Sequence, residues 1–175
     1  LEAVNLQGAN VSYTDISHGV ITACDFTQAQ LSSLKLMGAT VERCTFRYTR
    51  ATLIDFKQAT VRDCAFDGSD LDRSRWAEAT CERTSFRKVS FGNSQLDDGR
   101  FTGCDFREAR FCPASSQPRM SMVGVVFDSC DFRDADFTGA DLTGATFRGC
   151  KLGGAHGTPK AAVNVTVLDA DFSEA

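Results

Sequence analysis

The sequence predicts an all-β fold, a square solenoid of about eight coils, each made of four five-residue units. Three observations lead there: an apolar residue at every fifth position, a small or apolar residue two positions before each, and a twenty-residue period laid over both. A helix would repeat its apolar face at about 3.6 residues and a strand at about 2, so neither element alone explains the spacing.

The five-residue phase runs from Leu6 through Val11, Ile16, Ile21 and Phe26 to Phe111, passing the smaller Ala51. It resumes one residue out of phase at Met122 and continues through Phe127 to Phe172, weakening at Gly157 and Ala162. Residues such as Ala29, Ala39, Cys64, Ala109, Ala135 and Ala140 stand two positions earlier. Side chains two apart on an extended chain share a face, so each unit sends two of them inward. The polar and glycine residues between them form the outer wall and a corner.

The twenty-residue period sets four sides to the coil. Cys24, Cys44, Cys64 and Cys104 fall at multiples of it, as do Phe26, Phe46, Phe66, Phe86 and Phe106. Like residues therefore stack in columns, and the solenoid rises about 4.8 Å per coil to a length on the order of 40 Å. The columns return as Cys130 with Phe132 and Cys150 with Leu152, which leaves six residues in excess between Cys104 and Cys130. In the most regular stretch Phe132, Phe137, Leu142 and Phe147 mark the first, second, third and fourth sides. Residues 1–175 read as one domain, with a loop insertion at about 112–120.

Ala135-Asp136-Phe137-Thr138-Gly139 and Ala140-Asp141-Leu142-Thr143-Gly144 resemble the A-(D/N)-L-X-X motif of the pentapeptide-repeat family. The resemblance spans essentially the whole chain and implies a right-handed quadrilateral parallel β-helix. It also implies a partner class, since the family's best-understood group binds DNA gyrase, including quinolone-resistance types that imitate duplex DNA with an acidic rod. Some of these carry loops projecting from the coils.

Composition excludes several functions. The net charge of -4 gives no sign of direct nucleic-acid binding, and no apolar run is long enough to span a membrane. No export signal is visible, and with no C-x-x-C pair the stacked cysteines such as Cys24, Cys44 and Cys64 read as reduced, small core residues, Cys112 standing apart at the edge of the irregular segment, so a cytoplasmic setting is expected. No Cys stands at ligand spacing from His18 or His156, so neither a metal nor a cofactor is expected. Asp70 with Asp72, and Asp97 with Asp98, read as solvated wall residues without a perturbing partner. With the interior filled by Phe, Leu and Cys columns and no substrate cavity, the chain is not expected to be an enzyme.

What remains is a protein-interaction scaffold, with DNA imitation as the alternative. The insertion CPASSQPRM, with Pro113, Ser115, Ser116, Gln117, Pro118 and Arg119, is the candidate recognition loop and should leave the wall between the second and third sides. Asp128, Asp131, Asp134, Asp136 and Asp141 form the one locally acidic run, a candidate acidic surface. Elsewhere signs mix: Glu42, Arg62 and Glu82 alternate on the fourth side as an ion ladder, and Arg47, Asp67, Arg87, Arg107 and Arg133 share the first. The repeat begins at Leu1 and still runs at Asp171-Phe172-Ser173. Open strand edges of this kind read as an end-to-end homodimer or a piece of a larger bacterial protein.

Overall fold

A backbone that turns a right angle every five residues needs a sharp corner, and the residue two after each inward centre supplies it. Gln28, Ser33 and Ala23 have φ of 60°, 59° and 53°. This left-handed conformation costs an ordinary residue about 1 kcal/mol, so the surrounding hydrogen bonds must hold it. On three sides the corner closes on itself as a type II turn: Ala29 N–H reaches the Phe26 carbonyl at 2.9 Å, Leu34 reaches Leu31 at 3.0 Å and Ala39 reaches Leu36 at 3.0 Å.

The computed structural model describes residues 1–112, 120–159, 161–162 and 164–173. They form a parallel β-solenoid. Eight three-residue strands stack on the fourth wall, one per coil: β1 Val20–Thr22, β2 Thr40–Glu42, β3 Thr60–Arg62, β4 Thr80–Glu82, β5 Arg100–Thr102, β6 Val126–Asp128, β7 Thr146–Arg148 and β8 Thr166–Leu168. They pair in sequence order, all parallel, in one sheet. The other three walls pair through single bridges such as Asp25↔Thr45, Gln30↔Arg50 and Lys35↔Asp55. Register is twenty residues, and twenty-six on every wall where the insertion intervenes, as in Gln95↔Ser121, Phe101↔Phe127, Asp105↔Asp131 and Arg110↔Asp136, so the six extra residues leave the ladder undisturbed.

The inside is a set of ring stacks. Phe26, Phe46, Phe66, Phe86, Phe106 and Phe132 succeed one another at 4.8, 4.6, 5.1, 5.0 and 4.9 Å between centroids. Phe91, Phe111 and Phe137 form a second stack, and Phe101, Phe127 and Phe147 a third. Phe56 and Trp76 stack at 4.1 Å and meet the first column edge-on, the favourable contact for neighbouring aromatic quadrupoles. The Trp76 indole N–H donates to Ser74 Oγ at 2.9 Å, and Ser74 bonds in turn to Ser94 at 3.0 Å.

At the fourth corner the cysteines do more than fill space. No carbonyl closes that turn, and the Cys24 N–H points at Cys44 Sγ, the Cys44 N–H at Cys64 Sγ and the Cys64 N–H at Thr84 Oγ1, each at 3.4 Å. The thiols donate to carbonyls two residues back, Cys44 to Glu42 and Cys64 to Arg62 at 3.2 Å. The column expected to be apolar filling is thus a hydrogen-bond ladder of free thiols, with the Thr84 hydroxyl accepting in a thiol's place where a Cys is missing.

Packing loosens in the last coil. Phe66 and Phe86 are fully buried, whereas Val167 is 45% and Phe172 65% exposed. Gly157 and Ala162 occupy inward centres there and supply no bulk. A hollow of about 250 Å³ results, lined by Phe137, Leu142, Phe147, Leu152, Val167 and Phe172 among others. The filled interior expected along the whole chain therefore holds for the middle coils and fails at this end.

Phe66→Ala removes a ring from the middle of a closed stack and should cost about 3–5 kcal/mol in urea unfolding. Unchanged stability would mean that the ring is not packed on both faces.

Candidate functional site

The position before each inward centre often carries Asp, and its role is local. Asp25 Oδ1 accepts the Thr27 N–H at 2.8 Å, Asp55 the Lys57 N–H at 3.0 Å and Asp141 the Thr143 N–H at 3.0 Å, each bracing a turn. The Thr27 hydroxyl and N–H hold the Asp25 carboxyl below the usual carboxylate range. Where Ser takes that position, an Asp from the preceding coil substitutes. Asp72 accepts the Gly92 N–H at 2.8 Å and Ser90 Oγ at 2.5 Å, and Asp97 accepts the Val123 N–H at 2.9 Å and Ser121 Oγ at 2.5 Å. Asp70 accepts the Asp72 N–H at 3.0 Å. Asp70, Asp72 and Asp97, read from the sequence as solvated wall residues, are thus half-buried and brace turns. The signal was in the sequence: Ser at one coil's turn position faces Asp two positions on in the coil before.

The candidate acidic surface is not one surface. Asp128 lies on the fourth wall, Asp131 and Asp134 on the first, Asp136 on the second and Asp141 on the third. Asp131 is 2.7 Å from the Arg133 guanidinium and 3.8 Å from that of Arg107. Despite its partial burial, these arginines lower its pKa. The ion ladder read on the fourth wall is present, with Arg62 at 3.4 Å from Glu42 and 3.3 Å from Glu82.

The loop residues Pro113, Ser115, Ser116, Gln117, Pro118 and Arg119 lie outside the described residues. Their flanks are firm: Phe111 and Met120 are buried, on the second wall and at the start of the third. The half-buried Cys112 thiol donates to Asp136 Oδ2 at 2.8 Å, Asp136 Oδ1 accepts the Thr138 N–H at 2.9 Å, and His156 Nε2 lies 4.0 Å from Oδ2. The spacing of 24 residues, disturbed by the insertion, hid this contact from the column count. It is not a nucleophile with its base. The carboxylate rather than the imidazole meets the thiol, and burial with the Asp136 charge pushes Cys112 up to about 11. Among the described residues no cluster of three His, Cys, Asp or Glu could hold a metal ion, and no helix is long and apolar enough to cross a membrane.

The walls thus offer ordered charge and hydroxyl columns for surface contact. The pentapeptide repeat region model matches residues 19–96, and the pentapeptide repeat model of eight copies matches residues 121–156. No curated protein matches the chain. Among solved structures, a trypsin-treated form of QnrB1, a plasmid-mediated fluoroquinolone resistance protein, is 16% identical with a TM-score of 0.53, covering 95% of this chain and 90% of that one. HetL, a pentapeptide repeat protein involved in heterocyst differentiation regulation from the cyanobacterium Nostoc, is 18% identical with a TM-score of 0.41, covering 98% and 84%. A pentapeptide repeat protein from the Arabidopsis thaliana thylakoid lumen is 16% identical with a TM-score of 0.20, covering 80% and 69%. Four-sided coils, paired inward residues and family models over residues 19–96 and 121–156 agree, and the chain belongs to the pentapeptide-repeat family.

Proposed function

We propose that the protein is a non-enzymatic interaction scaffold, acting in the bacterial cytoplasm, whose walls and 112–120 insertion are presented to a protein partner. The observation that carries this reading is the division of labour in each five-residue unit. Two side chains are spent on the core and one on bracing the turn, so in the middle coils only the outward columns and the insertion remain for contact. Deleting residues 113–118 restores the five-residue phase and should leave the circular dichroism and thermal melt unchanged while weakening capture of the partner. Unfolding on deletion would make the insertion part of the core, and unchanged capture would remove it from the binding surface.

A second reading, a DNA-imitating protein that binds DNA gyrase or topoisomerase, is favoured by the acidic run from Asp128 to Asp141. Imitation of duplex DNA needs an uninterrupted negative face, since steering falls off within about 10 Å at ordinary salt. The five carboxylates are divided among four walls, and Asp131 is neutralised by arginine, so this reading is the weaker. A gyrase supercoiling assay is expected to show neither inhibition nor protection from a quinolone at micromolar protein. Either effect would reverse the ranking.

The apolar hollow at the last coil supports end-to-end pairing of two copies, which would cover Val167 and Phe172. Light scattering after size exclusion should give a dimer at high concentration. A clean monomer there would sink the pairing.

A further inference from the structure

Sorting the ion pairs by wall sets the second wall apart. On the first wall Arg47 pairs with Asp67, Lys88 with Glu108, and Arg107 and Arg133 with Asp105 and Asp131. On the third, Lys35 pairs with Asp15, Lys57 with Glu78 and Arg75 with Asp55. The fourth holds the Glu42–Arg62–Glu82 ladder and Arg83 with Asp63. Among the described residues, the second wall has no Lys or Arg ion pair, although Arg50, Arg73 and Arg110 stand exposed on it.

Its carboxylates are engaged inward instead. Asp70, Asp72 and Asp136 are half-buried and accept turn N–H groups, together with the Ser90 hydroxyl and the Cys112 thiol. The wall therefore presents guanidinium groups outward and keeps its negative charge against the backbone. Arg50, Asp70, Ser90 and Arg110 follow one another in a single bridged column. Three coil spacings put Arg50 and Arg110 about 14 Å apart. Tyr13 and Leu53 stand on the same wall, 82% and 51% exposed, and Tyr48 stands on its leading corner, 63% exposed. The Tyr48 ring packs close against Gly68, where an added Cβ would sit 2.7 Å from a ring carbon. Exposed Tyr and Arg on a preformed surface are the residue types that dominate protein-interface hot spots.

We propose that the second wall, from the coil of Tyr13 to the coil of Arg110, binds an extended acidic segment of a protein partner. The proposal rests on the scaffold reading and names its surface. Residues i and i+4 of an extended chain lie about 13 Å apart on one side, so two carboxylates at that spacing meet Arg50 and Arg110 when the segment lies along the solenoid axis. Guanidinium groups without a carboxylate partner of their own take such carboxylates in paired hydrogen bonds. The aromatic rings take apolar residues from the same segment.

The test is fluorescence anisotropy at low salt with a labelled peptide alternating Glu and Thr, titrated with the intact chain. Saturable binding that weakens with salt is expected, and it should fall about tenfold or more in an Arg50→Gln/Arg73→Gln/Arg110→Gln variant, the scale of one to two hot-spot contacts. Arg100→Gln/Arg148→Gln, which alters exposed arginines on the fourth wall, should leave it unchanged; circular dichroism verifies the fold of both. Absent binding, equal affinity in the triple variant, or an equal loss in the fourth-wall variant overturns the proposal. Tighter binding of duplex DNA, lost in the same triple variant, also overturns it and assigns the wall to nucleic acid. The insertion takes no part in this assay, so a failure here leaves the scaffold reading to be decided by partner capture.

Discussion

The structure depends on a coincidence of two lengths. Parallel strands stack at about 4.8 Å because their amide hydrogen bonds require it. Phenyl rings in the first column stack at 4.6 to 5.1 Å, because that is where offset rings meet. When one Phe is placed per coil at a fixed register, backbone ladder and ring column are satisfied together. Tyr would spoil the match, since each hydroxyl would enter a dry interior without a partner. The 14 Phe against 2 Tyr follow from this, and both Tyr are found outside.

Corner chemistry is the second constraint. Three sides of the coil close their turn with a backbone carbonyl, and the fourth hands the task to a thiol of the next coil. The core column at that corner must therefore be small and also able to accept an N–H, which Cys and Thr both do. The same logic governs the outer wall. Each turn N–H after an inward centre seeks an oxygen, and Asp on that turn or on the coil before supplies it. Much of the acidic content is thus structural, so composition overstates the negative charge open to a partner.

Architecture was almost fully legible in the sequence because periods of five and twenty are visible in residues such as Phe66 and Cys64 without any knowledge of their environment. The position of the insertion was legible too, from the phase change between Phe111 and Met122. The surface was not. Whether Asp72 is free or bonded depends on Ser90 one coil away, and whether Arg47 is neutralised depends on Asp67. Wall chemistry is settled between columns, and each column draws on residues twenty or twenty-six apart. The hollow was only half visible: Gly157 and Ala162 marked a weakened repeat, but not the space left when two adjacent sides lose their bulk in the same coil.

Each coil touches only its two neighbours, so stability along such a rod is a local quantity passed from one layer to the next. The hollow breaks that chain of transmission near one end. Layers on the Phe66 side share closed ring stacks, whereas the layer containing Val167 joins them through its strand pairing and a thinner apolar contact around the hollow. Coupling between the described layers is therefore graded along the axis, strong where the ring stacks are closed and weak across the hollow.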